Sequence, residues 1–506
     1  MNFSEQRVSG RQELENMGVA CYASQITIAN KIPTPISKIR RKQSEFTKFH
    51  LGDAEAPLFL VAGRITAIRE MGKSVLFMDV RDFSNDPGDD KIQIYIKKNM
   101  VAADNFAVSK KFDIGDIAAF HGQVFTTKSG ELSICAKSIQ LLTKNMRELP
   151  EKWHGLSDPE TRYRQRYADM IANESVRKTF ADRSRIIHLL RQRLTNDNFM
   201  EVETPMMHSI VGGAKARPFE THHNALDMDL FMRIAPELYL KRLLVGGFNA
   251  VFEINRSFRN EGISTKHNPE FTMLELYWAY SSLENMMDLT ESIIFELVSN
   301  VCRDTGLEVK DSSGNAVKLD FSEPFQTLSY GMAFAEANGF DRTDEAAVMD
   351  KAQSLGIKTE GMDLVFIANE IFEKTVEPSL IEPTFIVNYP SALCPLAKKL
   401  YNNPELCERF ELFINGMEIA NAYSELNDPV EQYERFKEQI EHGVATGDSE
   451  IAKEIDEDYI NALAMGMPPA TGMGIGIDRL VMLLTGNDSI RDVIMFPLMK
   501  KKHHDQ

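Results

Sequence analysis

Charged side chains crowd one connection where turning the chain needs none. The stretch FRNEGISTKHNPEF, residues 258–271, carries Arg259, Glu261, Lys266, His267 and Glu270 between the alternating runs VFEINRS and TMLELYWAY. A hairpin loop takes about two to five residues, so a longer loop of both charge signs raises the question of a ligand. Alternate side chains of a strand share a face. If the two runs pair with Arg259 near Phe271, odd positions meet odd positions, and one face gathers Arg259, Phe271, Glu275 and Tyr277. Phe252, Ile254, Leu274, Leu276 and Trp278 fall on the other face and belong to a core. The mixed face reads as a ligand floor; the plain alternative is a solvated hairpin face.

A second constellation is RFELFINGMEIANAYSELND, residues 409–428. Asn415-Gly416 signals a type I′ hairpin. That turn pairs Ile414 with Met417 and Phe413 with Glu418, and it places Glu411 on the face of Glu418, diagonally across. Two neighbouring carboxylates repel unless positive charge lies between them. Three arrangements satisfy them: a Mg²⁺ ion shared with phosphates and water, a pair of raised pKa values, or a salt bridge to arginine. Asn421, Tyr423 and Glu425 have the opposite parity to Glu418, so both sets face one pocket only if a bulge lies near Ile419 to Asn421.

The third is GMGIGIDRL, residues 472–480. Its GxGxG spacing is not a dinucleotide fingerprint, too little chain follows to build one, and no GxxxxGK[ST] occurs. Gly472, Gly474 and Gly476 let something flat approach the backbone, and Arg479 at the head of the next helix can reach a phosphate or stack on a base.

These segments need a scaffold. From Pro57, five short β-rich runs (LFLVAGRITAIRE, SVLFMDVRDFS, KIQIYIKK, DIAAFHGQVFTT, ELSICAKSIQLLT) predict a small barrel or sandwich over 57–143. Residues 1–56 read as a polar, irregular extension with a helix near Ser9 to Met17, and 144–175 as a polar, Arg-rich linker. Over 176–500, Ile186, Ile187, Leu189, Leu190 and Leu194 repeat at helical spacing, FMEVETP is extended up to Pro205, and helices at 283–303 and 330–375 alternate with hairpin-linked strands. The fold class is α+β: a five-stranded barrel followed by a large domain on an antiparallel sheet with flanking helices, with an insertion at roughly 325–375.

The bulk numbers agree with a soluble globular protein. Of 506 residues, 43% are hydrophobic and 26% charged, which gives an ordinary globular composition. There is no apolar run long enough to span a membrane and no signal-peptide core. Five scattered cysteines without a CxxC argue against a zinc site or disulfide framework and fit a reducing cytoplasm. A net charge of −17 opposes general coating by nucleic acid, but two local basic groups stand out. One runs from Lys31 to Lys48 and includes Arg40 and Arg41. The other runs from Arg162 to Arg193. Each is a solvated face or a set of phosphate contacts.

Taken together and in this order, the helix with FMEVETPMM, the loop FRNEGISTKHNPEFTMLELY and GMGIGIDRL resemble the three motifs of class II aminoacyl-tRNA synthetases, the lysyl-tRNA synthetases in particular. The resemblance runs from about residue 57 to 498. It implies activation of L-lysine by ATP to lysyl-adenylate and pyrophosphate, then transfer to the 3′ end of tRNA(Lys), in a cytoplasmic homodimer joined through the first motif near Pro205. It implies that Arg259 bridges the substrate carboxylate and the α-phosphate. Phe271 and Arg479 sandwich the adenine, and Glu261 and His267 contact the nucleotide. Glu411 and Glu418 hold Mg²⁺, with Glu411 also against ATP. Gly213 and Glu237 take the α-amino end of lysine, while Glu275, Tyr277, Asn421 and Glu425 surround its side chain. In the barrel, read as an OB-fold, Phe77, Gln93 and Glu131 match the anticodon-reading positions. Acidic pocket residues favour a cationic amino acid over aspartate. The loop 260–270 is expected to stay mobile until ligands arrive. The alternatives are an enzyme that passes lysyl-adenylate to a protein lysine, for which the barrel is superfluous, and a non-catalytic tRNA-binding paralogue, for which Arg259, Glu411, Glu418 and Arg479 are superfluous. The extension 1–56 matches poorly, and the resemblance assigns it no role.

Overall fold

The computed structural model describes residues 3–29, 31–83, 89–149, 156–302, 306–310, 314–322, 324–446 and 454–501. The chain divides into two units, Met1–Ala181 and Asp182–Gln506, within the helix Glu174–Asn196.

In the first unit the five β-rich runs form strands Leu58–Met71, Val75–Arg81, Lys91–Lys97, Ile117–Thr126 and Leu132–Thr143. They close into a barrel in which Leu58–Met71 pairs with both Val75–Arg81 and Ile117–Thr126. Closure leaves no free sheet edge. Strand alternation sends Leu76, Met78, Val80, Ile92, Ile94, Ile96 and Ile134 into the barrel core. The odd-numbered neighbours Phe77, Gln93 and Tyr95 lie on the outer face.

The extension is not irregular. It forms helices Glu5–Asn16, Ile36–Arg40 and Gln43–Phe46, whose Leu14, Ile36, Ile39 and Phe46 are buried in the barrel core. Four apolar anchors among many polar residues give no periodicity to read. The stretch 144–175 likewise belongs to this unit. Lys144 is fully buried against Asp116 at 2.9 Å, and two short helices, Pro159–Arg164 and Arg166–Ala172, follow. Arginines here serve the fold: Arg166 pairs with Asp169 at 2.9 Å with both buried, and Arg177, at the start of the helix Glu174–Asn196, reaches Asp90 at 3.1 Å. Farther along, Arg191 pairs with Glu201, and Arg193 with Asp197 and Glu296. The phosphate-contact reading of this basic group yields to intramolecular pairing.

The second unit is built on an eight-stranded sheet in the order Gln326–Ser329, Thr384–Val387, Arg409–Ile414, Met417–Ser424, Ala470–Gly476, Glu270–Ala279, Ala250–Phe258, Met200–Glu201. The pairs at its two ends are parallel; the five between them are antiparallel. One face is apolar. Phe252, Leu274, Leu276, Leu412, Ala420, Met473 and Ile475 pack on helices Leu283–Val301 and Ile477–Thr485 and on Ile186, Leu190 and Leu194 of the long helix. The insertion holds helices Tyr330–Asn338, Glu345–Ser354 and Leu364–Thr375, whose apolar residues share a second core with Ile386 and Phe413 of the sheet.

One ionic clamp ties the helix that carries Arg479 to the strand that carries Glu275. Asp478 accepts the Thr272 backbone N–H at 2.7 Å and the Arg183 guanidinium at 2.6 Å, and it is 2% exposed. Removing one partner of a buried pair leaves the other charge unpaired. Asp478→Ala should therefore destabilise the second unit by about 3–5 kcal/mol, read as a lowered midpoint in urea denaturation; a change below about 0.5 kcal/mol would show the clamp to be idle.

Candidate active site

The open face of the sheet supplies the site. Ser257 pairs with Phe271, Glu253 with Glu275 and Val251 with Tyr277, so odd meets odd as parity requires. Arg259 continues the ladder, its N–H donating to the Pro269 carbonyl at 2.9 Å. Its guanidinium lies over the Phe271 ring, 5.1 Å from the centroid. Arg259, Phe271, Glu275 and Tyr277 all line one cavity of about 1520 Å³.

The bulge is present. Asn415 and Gly416 have φ of 53° and 64°, the left-handed pair that a type I′ turn needs. Ile414 pairs with Met417 and Phe413 with Glu418, then the register shifts so that Leu412 meets Ala420 and Glu411 meets Asn421. Ile419 is the extra residue. Through it Glu418, Asn421 and Tyr423 all reach the cavity.

At one end of the cavity the cations Arg259, Lys266 and Arg479 gather. Among the described residues Arg259 forms no ion pair, and its buried Nε has no hydrogen-bond partner. Burial pushes its pKa down, so an anion is the missing complement. Arg479 is held by Glu418, 3.0 Å from Nη1 to Oε2, and by His267, 3.0 Å from Nη2 to Nε2. Arginine only donates, so Nε2 is the acceptor and the Nδ1–H faces the Ser264 hydroxyl at 2.9 Å. Partial burial and the Arg479 charge lower the His267 pKa, in keeping with a neutral ring. The loop is therefore tied down. Lys266 donates to the Gly416 carbonyl at 2.8 Å, Asn260 to that of Arg217 at 2.7 Å, and Ile490 to that of Thr265 at 2.7 Å. Glu261 lines the cavity from the exposed loop.

Of the two expected metal carboxylates, Glu418 lies on the wall and Glu411 behind it. Glu411 is ion-paired to Arg409 and accepts the Tyr389 hydroxyl at 2.7 Å and the Asn421 amide at 3.3 Å. The arginine alternative is thus realised for both carboxylates. Negative charge nevertheless remains in excess. Burial, and Glu418 against the opposing pull of Arg409, lift Glu411 to about 7. Burial, Glu411, Glu373 and Glu418 lift Glu377 to about 8. Such a field suits a divalent cation beside phosphates, although among the described residues no group of three or more His, Cys, Asp or Glu side chains is arranged to hold a metal.

At the other end lies a nest of carboxylates. Glu237 opens the helix Glu237–Val245 and accepts the Tyr423 hydroxyl at 2.7 and 2.8 Å. Gly213, at φ +87°, packs where a Cβ would come within 3.2 Å of the Glu237 Cβ, so both its backbone and its lack of a side chain are required. Glu275 is buried and accepts the Tyr277 hydroxyl at 3.1 Å. Burial and the Glu237 charge push its pKa to about 8. Glu425 is buried just beneath the cavity floor, ion-paired through Oε2 to Lys241. A Cβ at Gly472 would collide with Glu425 Oε1 and lie 2.5 Å from the Tyr277 ring. That glycine therefore makes room for two side chains of this chain, where a flat ligand was expected. Lys241, Arg409 and Tyr389 were missed. Glu237 and Lys241 stand four apart on one helix, a legible pairing signal, but nothing in the sequence shows that the pair is buried.

On the barrel's outer face Phe77 packs on Tyr95, centroids 5.1 Å apart. Gln93 pairs with Ser133 and accepts its hydroxyl at 3.0 Å. Glu131, two residues before Ser133, is ion-paired at 3.2 Å to Arg40 of the extension. Two-residue periodicity sets Phe77 and Gln93 on one face, and Glu131 stands just before the strand that begins at Leu132.

Residues 158–500 match the tRNA synthetases class II (D, K and N), and residues 59–142 match the OB-fold nucleic acid binding domain. The chain is 53% identical over 446 residues to the lysine–tRNA ligase of Carboxydothermus hydrogenoformans, covering 87% of this chain and 89% of the relative. It is 47% identical over 497 residues to that of Staphylococcus aureus strain MW2, covering 97% of each. The chain belongs to the class II lysine–tRNA ligase family. A class II synthetase built on an antiparallel sheet, with an OB-fold barrel before it, is the architecture the motif order implied. Among the described residues of this family member no helix is long and apolar enough to cross a membrane.

The raised carboxyls make a testable statement about stability. Glu275 and Glu425, both pushed to about 8, keep protons in the folded chain that the unfolded chain releases near 4.5. Their contribution is complete below 4.5 and is lost as the pH rises through 8. The ligand-free chain should lose thermal stability between about pH 4.5 and pH 8, and Glu275→Gln should remove part of that slope. Parallel melting-temperature curves for the two proteins would clear Glu275 of the effect.

Proposed function

We propose that the chain is a lysine–tRNA ligase that binds ATP at the Arg259–Phe271–Arg479 end of the cavity and lysine at the Glu237–Glu275–Glu425 end. The observation that carries this reading is a cavity with an unpaired arginine at one end and three buried carboxylates at the other. A dipolar amino acid with an ammonium side chain spans that arrangement, and an acidic one is repelled by it.

In the first step a lysine carboxylate oxygen attacks the α-phosphorus, an O–P bond forms, and pyrophosphate leaves with the electrons of the bond that breaks. No general base is needed, because the carboxylate is already ionised at neutral pH. The task is to hold two anions together in line. Arg259 stands where it can contact both, stiffened by its stack on Phe271. Phe271 and Arg479 frame the base, with Glu261 and His267 at the loop side, and Gly213 leaves space for the α-amino group beside Glu237. Glu418, with Glu411 behind it, would hold Mg²⁺, which neutralises phosphate charge when bound. In the second step a 3′-terminal hydroxyl of tRNA(Lys) attacks the lysyl carbonyl and AMP leaves. Phe77, Gln93 and Glu131 form the proposed anticodon face, where an aromatic ring stacks on a base and polar groups read its edges. Met200 and Met207, 51% and 54% exposed on either side of Pro205, support a homodimer through that region.

Pyrophosphate exchange with each of the twenty amino acids tests the reading. Lysine should give Mg²⁺-dependent exchange, and no exchange with lysine, or faster exchange with aspartate, would overturn it. Glu425→Gln should raise the lysine KM roughly 10- to 100-fold and leave the ATP KM within about twofold; equal losses would remove Glu425 from the lysine pocket. Phe77→Ala should raise the KM for tRNA about tenfold or more, in line with the loss of one stacked base. Lysine-dependent exchange should not change, and an unaltered tRNA KM would argue against the anticodon role.

A further inference from the structure

Lys241 is a fully buried lysine in a site read as binding lysine. Its Nζ lies 2.6 Å from Glu237 Oε1 and is ion-paired to Glu425 Oε2, and both side chains of the Lys241–Glu425 pair are 0% exposed. The ring of Tyr423 sits 5.6 Å away, and Tyr459 adjoins it from the helix Glu457–Ala464. Burial works against its charge, but Glu237 and Glu425 outweigh burial and hold the ammonium above its ordinary range. Glu425 meanwhile keeps one oxygen, Oε1, without a hydrogen-bond partner among the described residues, directed over Gly472 beside Tyr277. A buried, unsatisfied carboxylate oxygen costs several kcal/mol unless a cation completes it, so it points to a ligand.

The charges can be counted. Glu237, Glu275 and Glu425 face one another, and the nearby Arg233 is already neutralised by Glu253 at 2.9 Å. Against these three carboxylates stand two cations, Lys241 within the nest and Arg259 at its far end. With all three carboxylates ionised, the state that an incoming ammonium favours, one negative charge is left, the complement of the single net positive charge that lysine carries at neutral pH. We propose that Lys241 is a specificity-determining residue: a resident ammonium that lies between Glu237 and Glu425, offsets their charge and sets the pocket's charge to match one monocationic amino acid. It acts through those carboxylates and does not touch the reacting atoms, so it is a positioning residue. This inference rests on the lysine-activating reading above.

The consequence is a shift in pH dependence. Without Lys241, Glu425 loses its counter-charge and moves above about 8, so the proton that the substrate ammonium must displace is held more tightly. In lysine-dependent pyrophosphate exchange, Lys241→Gln keeps a donor between the carboxylates but removes the charge. Its lysine KM at pH 7 should rise about tenfold or more, and its curve of KM against pH should be displaced upward by about one unit. The ATP KM should stay within about twofold of wild type. Lys241→Arg keeps the charge and should overlay the wild-type curve. A folded Lys241→Gln whose curve superimposes on wild type overturns the proposal, as does a loss shared equally with ATP. If Lys241→Gln does not fold, as judged by circular dichroism, Lys241→Arg decides: overlay supports the charge role, and displacement by a full unit overturns it. Absence of lysine-dependent exchange in the wild type would instead fail the underlying reading, so the two failures are distinguishable.

Discussion

Buried charge needs a counter-charge, and the second unit is arranged around that constraint. Its sheet has one face dry and apolar against three helices; the alternate side chains must all emerge on the other face. There they include Glu253, Glu275, Glu411 and Glu418, and each is answered locally. Glu253 has Arg233, Glu411 has Arg409, Glu418 has Arg479, and Glu275 has only the Tyr277 hydroxyl. The groups left incomplete are Arg259 at one end and Glu275 with one oxygen of Glu425 at the other, and in the proposed reading a ligand's own charges complete them. Structural and binding roles thus use the same side-chain types, and whether the protein itself supplies the partner distinguishes them.

Two local irregularities turn that face into a cavity. The extra residue Ile419 reverses the parity of the strand Met417–Ser424 midway, so Glu418 and Asn421 point the same way although an ideal strand would separate them. The absent side chain of Gly472 lets Glu425 and Tyr277 share a space that any Cβ would fill. The clamp of Asp478 on Thr272 and Arg183 then holds the helix of Arg479 against the strand of Glu275. Each device depends on one or two residues and leaves the apolar core untouched.

The loop that first drew attention has a similar economy. Its charges are engaged with the molecule itself: His267 with Arg479, Lys266 with the Gly416 turn, and Arg259 with the face of Phe271. These contacts tie His267, Lys266 and Arg259 to the rest of the molecule without any ligand, where free, mobile charges were expected.

By itself the sequence determined the barrel strands, the parity of both hairpins, the type I′ turn, the need for a bulge near Ile419 and the order of three motifs. All of these are local, because strand alternation and turn chemistry act within a few residues. Only the tertiary structure decided which cations are spoken for. Arg166, Arg177 and Arg183 look in sequence like phosphate ligands, and they are structural because Asp169, Asp90 and Asp478 reach them. Arg259 looks no different, and it is left without an ion pair. Lys241 resembles any helical lysine until folding places Glu425, just past the strand Met417–Ser424, against its ammonium. Burial and pairing depend on distances between residues remote in sequence, and those distances set the dielectric surroundings and the charge balance on which binding depends.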